Sequence, residues 1–160
     1  MYAAAFGIGE DGAMRYAATS VPEMAALSGF MAAIASTMKG ELIGFACGHD
    51  AASHRPWFDR VGTALERAGH HAWLDDPFEL AEVAVHPSIQ GRGVGTLLSA
   101  SIQERLGGRR AILVTYHDDH PAKRFYRRLG WQVLVEDFEY APGRPYTSIL
   151  GFRRADATHA

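Results

Sequence analysis

The run Val83-Ala84-Val85-His86-Pro87-Ser88-Ile89-Gln90-Gly91-Arg92-Gly93-Val94-Gly95-Thr96 constrains this chain more than any other stretch. It opens as the end of an apolar strand, turns at His-Pro, and passes through three glycines into an amphipathic run. The first turn of a helix has backbone N–H groups without intrahelical partners, and the helix dipole adds partial positive charge. An anion can be held there by main chain alone, and glycines let it come close. Arg92 adds a permanent cation with a planar donor fork suited to phosphate oxygens.

Spacing separates three known phosphate cradles. A P-loop needs Lys followed by Ser or Thr after its glycines, and none follows here. The dinucleotide fingerprint G-x-G-x-x-G is nearly met by Gly91 and Gly93, with Asp118 or Asp119 at the distance of a ribose ligand. Thr96 stands in place of its third glycine, however, and His86 to Ile89 intervene between strand and glycines. The third pattern fits best. Gln90-x-x-Gly93-x-Gly95, preceded by Glu82-Val83-Ala84-Val85-His86-Pro87, resembles motif A of the GNAT-family N-acetyltransferases, whose loop binds the pyrophosphate of acetyl-coenzyme A.

Composition sets outer bounds. At 160 residues the chain has the size of one domain, expected over 1–160, that buries about two-thirds of its unfolded surface. A formal net charge of −2, with 21% charged and 48% hydrophobic residues, gives no bulk attraction to nucleic acid or membrane. Cys47 is the only cysteine, so no disulfide or thiolate cluster is expected and a cytoplasmic setting suits the chain. The opening residues lack the basic start of a secretory signal, and no segment is apolar for long enough to span a bilayer.

The Ala-rich residues 1–28 predict two short helices, with breaks at Gly7 to Gly12 and at Val21-Pro22. Phe30 to Thr37 and Leu42 to Cys47 flank a glycine turn and predict a β-hairpin. Residues 49–77 form an insertion in which Trp57, Val61, Leu65 and Ala68 keep helical spacing. Phe78 to Val85 predicts a strand. In the helix that follows, Val94, Leu97, Leu98, Ile102 and Leu106 mark the expected buried face, closed by Gly107-Gly108. A short strand (Ala111 to Thr115), a helix opened by Pro121 and closed by Gly130, and two last strands (Trp131 to Tyr140, Tyr146 to Phe152) complete the pass. This order resembles the α/β (α+β) GNAT fold, a mixed, mostly antiparallel sheet with splayed middle strands and flanking helices. The strand that usually precedes the first helix is missing from the pattern. Either the true start lies upstream of Met1 or the sheet has a bare first edge, which would favour a homodimer.

The resemblance also implies roles for residues. Main-chain groups of Val83 and Val85 would lie beside the donor, with Gln90, Gly91, Arg92, Gly93, Val94, Gly95 and Thr96 around the pyrophosphate. The family's second motif, N-x-x-A-x-x-x-Y, reads here Asp119-His120-Pro121-Ala122-Lys123-Arg124-Phe125-Tyr126. Ala122 and Tyr126 match. Asp119 replaces the asparagine; it can accept hydrogen bonds and cap the helix but cannot donate as an amide would. Tyr126 is the expected general acid for the coenzyme A sulfur. Glu79 and Glu82 are the candidate bases, three apart on one strand and so on opposite faces unless a bulge intervenes; ordered water is the other route for the proton. Lys123 or Arg127 would reach the coenzyme's phosphates, or form part of a solvated basic face.

The eight histidines show no H-x-x-x-H pattern, so no metal is expected. Trp57, Trp73, Asp75 and Asp76 would suit a cationic amine, or the tryptophans would anchor the insertion and Asp75-Asp76-Pro77 would be only a turn. The implied activity is transfer of an acetyl group from acetyl-coenzyme A to a primary amine of a small molecule or peptide, in a ternary complex. Two rivals stand beside it: a non-catalytic acyl-coenzyme A sensor or partner-binding domain, and an NAD(P)-dependent reductase.

Overall fold

The computed structural model describes residues 1–154. It divides into two compact units, Met1–His49 with Leu80–Arg105, and Asp50–Glu79 with Leu106–Ala160.

In the first unit, α1 (Tyr2–Phe6) ends at Gly7, whose φ of 63° is open to glycine at no steric cost. The helical path resumes at α2 (Glu10–Arg15), passes through a π turn at Tyr16–Ser20 and continues into α3 (Val21–Ala25). The break expected at Val21-Pro22 is therefore absent. The wider π turn ends two residues before Pro22 and includes the carbonyl four residues back, with which a proline ring clashes in a regular helix. None of the residues of these helices is fully buried. The expected hairpin is present as β1 (Met31–Ser36) antiparallel to β2 (Leu42–Asp50), in register from Met31 opposite Gly48 to Ser36 opposite Leu42. The Thr37 hydroxyl accepts hydrogen bonds from the amides of Lys39 and Glu41 and closes the turn.

Next to β2 lies β3 (Phe78–Val85), followed by α5 (Val94–Arg105). Gly44 makes this packing possible: a Cβ there would stand 3.0 Å from the Ala84 carbonyl oxygen and 3.1 Å from Leu98 Cδ1. Leu98 and Ile102 are buried on α5 as expected, but Leu97 is 72% exposed. At 100° per residue, Leu97 sits a full step round the helix from the stripe of Leu98 and Ile102. No helix among the described residues is long and apolar enough to cross a membrane.

In the second unit, Phe78 and Glu79 of β3 run parallel to β4 (Ala111–Tyr116), opposite Ala111 and Ile112. Antiparallel pairings then join β4 to β6 (Thr147–Phe152) and β6 to β5 (Gln132–Phe138), so the strands are mixed in direction. The insertion carries α4 (Arg55–Arg67) and a 3₁₀ turn at His71–Leu74, and α6 (Pro121–Arg128) connects β4 to β5. Trp57, Val61, Leu65 and Trp73 of the insertion pack with Ile112, Leu134, Phe138 and Ile149 in one buried cluster. Both tryptophans are thus anchors of the insertion. Arg109 ties this unit's loops together, donating to the Asp50 carboxylate at 2.7 Å, to the Asp76 carboxylate at 2.9 Å and to the Asp76 carbonyl at 2.7 Å.

Gly151 on β6 has no room for a side chain: a Cβ there would lie 2.6 Å from the Trp73 ring and 2.7 Å from Leu134 Cδ1. Both neighbours are buried and cannot retreat into solvent. Gly151→Ala is expected to cost about 1–3 kcal/mol through overpacking, read as a lower urea midpoint with an unchanged slope.

Candidate functional site

The glycine-rich joint belongs wholly to the first unit. His86 accepts the Ser88 N–H on its Nδ1 and so caps the 3₁₀ turn Pro87–Ile89 that leaves β3. Gln90 then reaches back: its Nε2 donates to the Val85 carbonyl at 3.0 Å. The expected coenzyme ligand Gln90 therefore spends its amide on bracing the loop, and the Val85 carbonyl is the group it braces. Gly91 and Gly93 adopt φ of 75° and 83°, and a Cβ at either would meet nothing within 4 Å. The Gly93 carbonyl accepts the Leu97 N–H at 3.0 Å, which makes Gly93 the entry to α5. Gly91, Arg92, Gly93 and Thr96 are exposed, Val94 and Gly95 half-buried, and Arg92 makes no ion pair among the described residues. The joint is an open stretch of glycine backbone at a helix start with a cation beside it, an arrangement that suits a phosphate.

Glu82 and Val83, just upstream, are half-buried. Tyr2 of α1 donates its hydroxyl to Glu82 Oε1 at 3.4 Å, and the Tyr2 and Tyr16 rings stack at 3.9 Å between centroids, with Phe45 at 6.1 Å from Tyr2. Burial pushes the Glu82 carboxyl above its ordinary range, partly offset by the two tyrosine hydroxyls. Burial and the adjacent carboxylate push the Tyr2 hydroxyl up to about 12 and raise that of Tyr16 further. Sequence reasoning missed both tyrosines. An Ala-rich segment shows no apolar periodicity, and a contact across 80 positions leaves no local signal.

Glu79, Asp119, Ala122, Lys123 and Tyr126 belong to the second unit. Glu79 is 6% exposed, and burial pushes its carboxyl up to about 8. Its Oε2 lies 3.3 Å from Nδ1 of His54, the residue that precedes α4, and burial lowers the His54 pKa. Asp119 is not the cap of α6. His120 is, accepting the Ala122 N–H on Nδ1, while the exposed Asp119 carboxylate pairs with Arg124 at 2.8 Å. The Asp119 charge is thereby offset by the helix that follows it. Lys123, expected among the coenzyme's ligands, is 5% exposed and its ammonium pairs with Glu136 on β5. A buried, paired lysine is part of the packing of α6. Tyr126 is half-buried, its ring edge-on to Phe125 at 5.1 Å and to Trp131 at 5.9 Å. Asp75 and Asp76 are exposed, with Asp76 held by Arg109, so these residues and the buried tryptophans do not form an aromatic and acidic box.

Comparison with known proteins bears on the family and the fold. Over 118 residues the chain is 29% identical to a GCN5-like protein acetyltransferase of Mycobacterium tuberculosis, covering 69% of this chain and 57% of that protein. Over 101 residues it is 36% identical to a mycothiol acetyltransferase of Mycobacteroides abscessus, covering 53% of this chain and 34% of that one. The chain thus spans little more than half the length of the first relative and about a third of the second. Among solved structures, an aminoglycoside 6′-N-acetyltransferase complexed with coenzyme A superposes with a TM-score of 0.60 at 18% identity, over 94% of this chain and 85% of that one, which shows the fold. The model of the acetyltransferase (GNAT) family matches residues 10–131. With the glycine joint inside the matched range and the fold shared, the chain belongs to the GNAT family of acetyltransferases.

Proposed function

We propose that this chain transfers an acetyl group from acetyl-coenzyme A to a primary amine. The carrying observation is the cradle itself: two glycines at positive φ, open space at both Cα positions, and an exposed Arg92 at the start of α5. Gly91 to Thr96 would hold the pyrophosphate through main-chain N–H groups, and Arg92 would neutralise its charge. Bound there, acetyl-coenzyme A supplies a thioester carbonyl and a thiol leaving group.

The two carboxyls divide the proton chemistry. A group pushed up to about 8 is mostly protonated at neutral pH, so Glu79 is a neutral acid held by His54. Glu82 is the better base. Its hydrogen-bond partners are the neutral hydroxyls of Tyr2 and Tyr16, no cation pairs with it among the described residues, and its raised pKa favours accepting a proton from an ammonium. Tyr126, carried over from the family's second motif, would return a proton to the departing sulfur. The related proteins named above are described for protein, mycothiol and aminoglycoside acetylation, so they share the group transferred and differ in acceptor.

Gly93→Asp puts a carboxylate into the cradle, where the backbone tolerates it at a cost of about 1 kcal/mol. Calorimetry is expected to show coenzyme A affinity falling at least about 100-fold while the protein stays folded; retained affinity removes the cradle assignment. Preferential binding of NADPH over coenzyme A would point to a reductase instead.

In a thiol-release assay over a panel of primary amines, Glu82→Gln is expected to lower turnover by about 10²–10⁴, and Glu79→Gln by no more than about threefold. Tyr126→Phe is expected to lower kcat about 10²-fold with little change in acetyl-coenzyme A affinity. Coenzyme binding without thiol release from any amine would favour the sensor.

Glu79 also predicts a pH dependence of stability. Its folded pKa, about 8, lies above the ordinary 4.5, so its contribution is full below pH 4.5 and is lost as pH rises towards 8. Because His54 is shifted downwards, its own titration falls below pH 6.5 and leaves the higher window to Glu79. Urea denaturation at pH 6.5 and pH 8.5 is expected to show a loss of about 2 kcal/mol in the wild type that is largely absent in Glu79→Gln.

A further inference from the structure

The second unit carries a cleft of about 760 Å³ between α4 and the end of β5, and every residue lining it belongs to that unit. That is room for a small molecule. On α4, Arg60, Thr63, Ala64 and Arg67 follow one another at the spacing of a single helix face. Across the cleft lie β5 and the residues that continue it to Tyr140. The cleft therefore has two walls of opposite charge. Arg60 and Arg67 stand on the helix side, about 10 Å apart along the axis, and Asp137 and Glu139 stand on the strand side. Ala64, Val135 and Phe138 supply the apolar part of the lining.

The two walls do not neutralise each other, because other bonds hold their charges. Arg60 donates from Nη1 to the Tyr140 carbonyl at 2.9 Å, and its guanidinium lies 4.9 Å from the centroid of the Tyr140 ring. Tyr140 is itself set edge-on against buried Phe138. Asp137 lies 2.6 Å from Nε2 of His117, and Glu139 accepts the Gly143 N–H at 2.8 Å. Each carboxylate keeps acceptor capacity beyond that one bond. Asp59, the third acid of the lining, is balanced by Arg55 on its own helix at 3.1 Å. Arg67 is exposed and makes no ion pair or hydrogen bond among the described residues. A cation without a partner thus faces two acids with capacity to spare.

We propose that this cleft binds a small zwitterion with an apolar or aromatic body, the chemistry of a free amino acid, its carboxylate towards Arg67 and its ammonium towards Glu139 and Asp137. A ligand with one charge is attracted by one wall and repelled by the other. Only a ligand of both signs meets both walls, while the Tyr140 ring and the apolar lining receive its body. The site is one of binding and goes beyond the acetyl-transfer reading without depending on it. Both walls are open to solvent, so each ion pair is worth about two- to fivefold in affinity and weakens with salt.

An NMR titration of the isotope-labelled whole chain, followed through its backbone amides, reads both affinity and place. The probes are phenylalanine, 2-phenylethylamine and 3-phenylpropionate, which share a skeleton and carry both charges, the cation alone and the anion alone. Phenylalanine is expected to bind about fivefold tighter than either of the others, shifting the amides around Arg67 and Glu139. Arg67→Gln, which has no bond to lose, is expected to weaken phenylalanine and 3-phenylpropionate about threefold without weakening 2-phenylethylamine. Glu139→Gln, which keeps an acceptor for the Gly143 N–H, is expected to weaken phenylalanine and 2-phenylethylamine without weakening 3-phenylpropionate. Phenylalanine that binds no tighter than the single-charge probes, or not at all, overturns the site. So do shifts that leave the cleft unmoved, and variants that weaken all three probes alike or none.

Discussion

The bond from the Gln90 amide to the Val85 carbonyl is the interaction on which the rest of the site depends. A strand that ends in His-Pro has no reason of its own to turn back and present glycines at a helix start. Gln90 supplies that reason, because it anchors the far side of the 3₁₀ turn to the strand that the turn has just left. With this end fixed, Gly91 and Gly93 take left-handed conformations that open the backbone instead of fraying into a loose loop. The glycine joint is therefore braced by one side chain from within the loop itself.

β3 serves both units by carrying two carboxyls with opposite fates. Glu79 is buried, and its partner is a histidine from the insertion. Glu82 lies under tyrosines from the N-terminal helices. Both acids are raised by burial, so burial alone does not distinguish them. Their partners do. The Glu79 carboxyl lies against a histidine of the insertion, whereas Glu82 is met by two neutral tyrosine hydroxyls.

Much of this was legible in the sequence where local rules decide. The hairpin, α4, β3, the start of α5 and the closing glycines follow from period and turn chemistry, and the cradle from spacing. Leu97 shows how a correct helix can be given one residue too many on its buried face, since an apolar residue at i−1 from the stripe looks no different in a list. At α6 the signal was present: a proline in the first helical position makes its predecessor the cap, which selects His120 over Asp119. Lys123 carried no such signal. Among three arginines it reads as one more solvated cation, and only Glu136 on β5 shows that it faces inward. The π turn before Pro22 was likewise hidden, because a helix can absorb a proline by widening where the rule of thumb expects it to stop.

Tyr2 and Tyr16 mark the real limit of local reading. Their residue type gave no hint of function in an Ala-rich helical region, and their meaning comes from where a short helix, freed by Gly7 and Gly9, lays a ring over a strand residue 80 positions away. That division follows from what each part must do. The donor is chemically constant across a family, so its cradle can be written in contiguous residues and recognised by spacing. An acceptor differs between proteins of shared ancestry, so its site is best assembled from segments that can vary without disturbing the cradle. Helices that bury none of their residues are such segments, because changing them costs the core almost nothing. The N-terminal helices are the part of this chain that packs least, and so the part whose sequence can change at least cost to the fold.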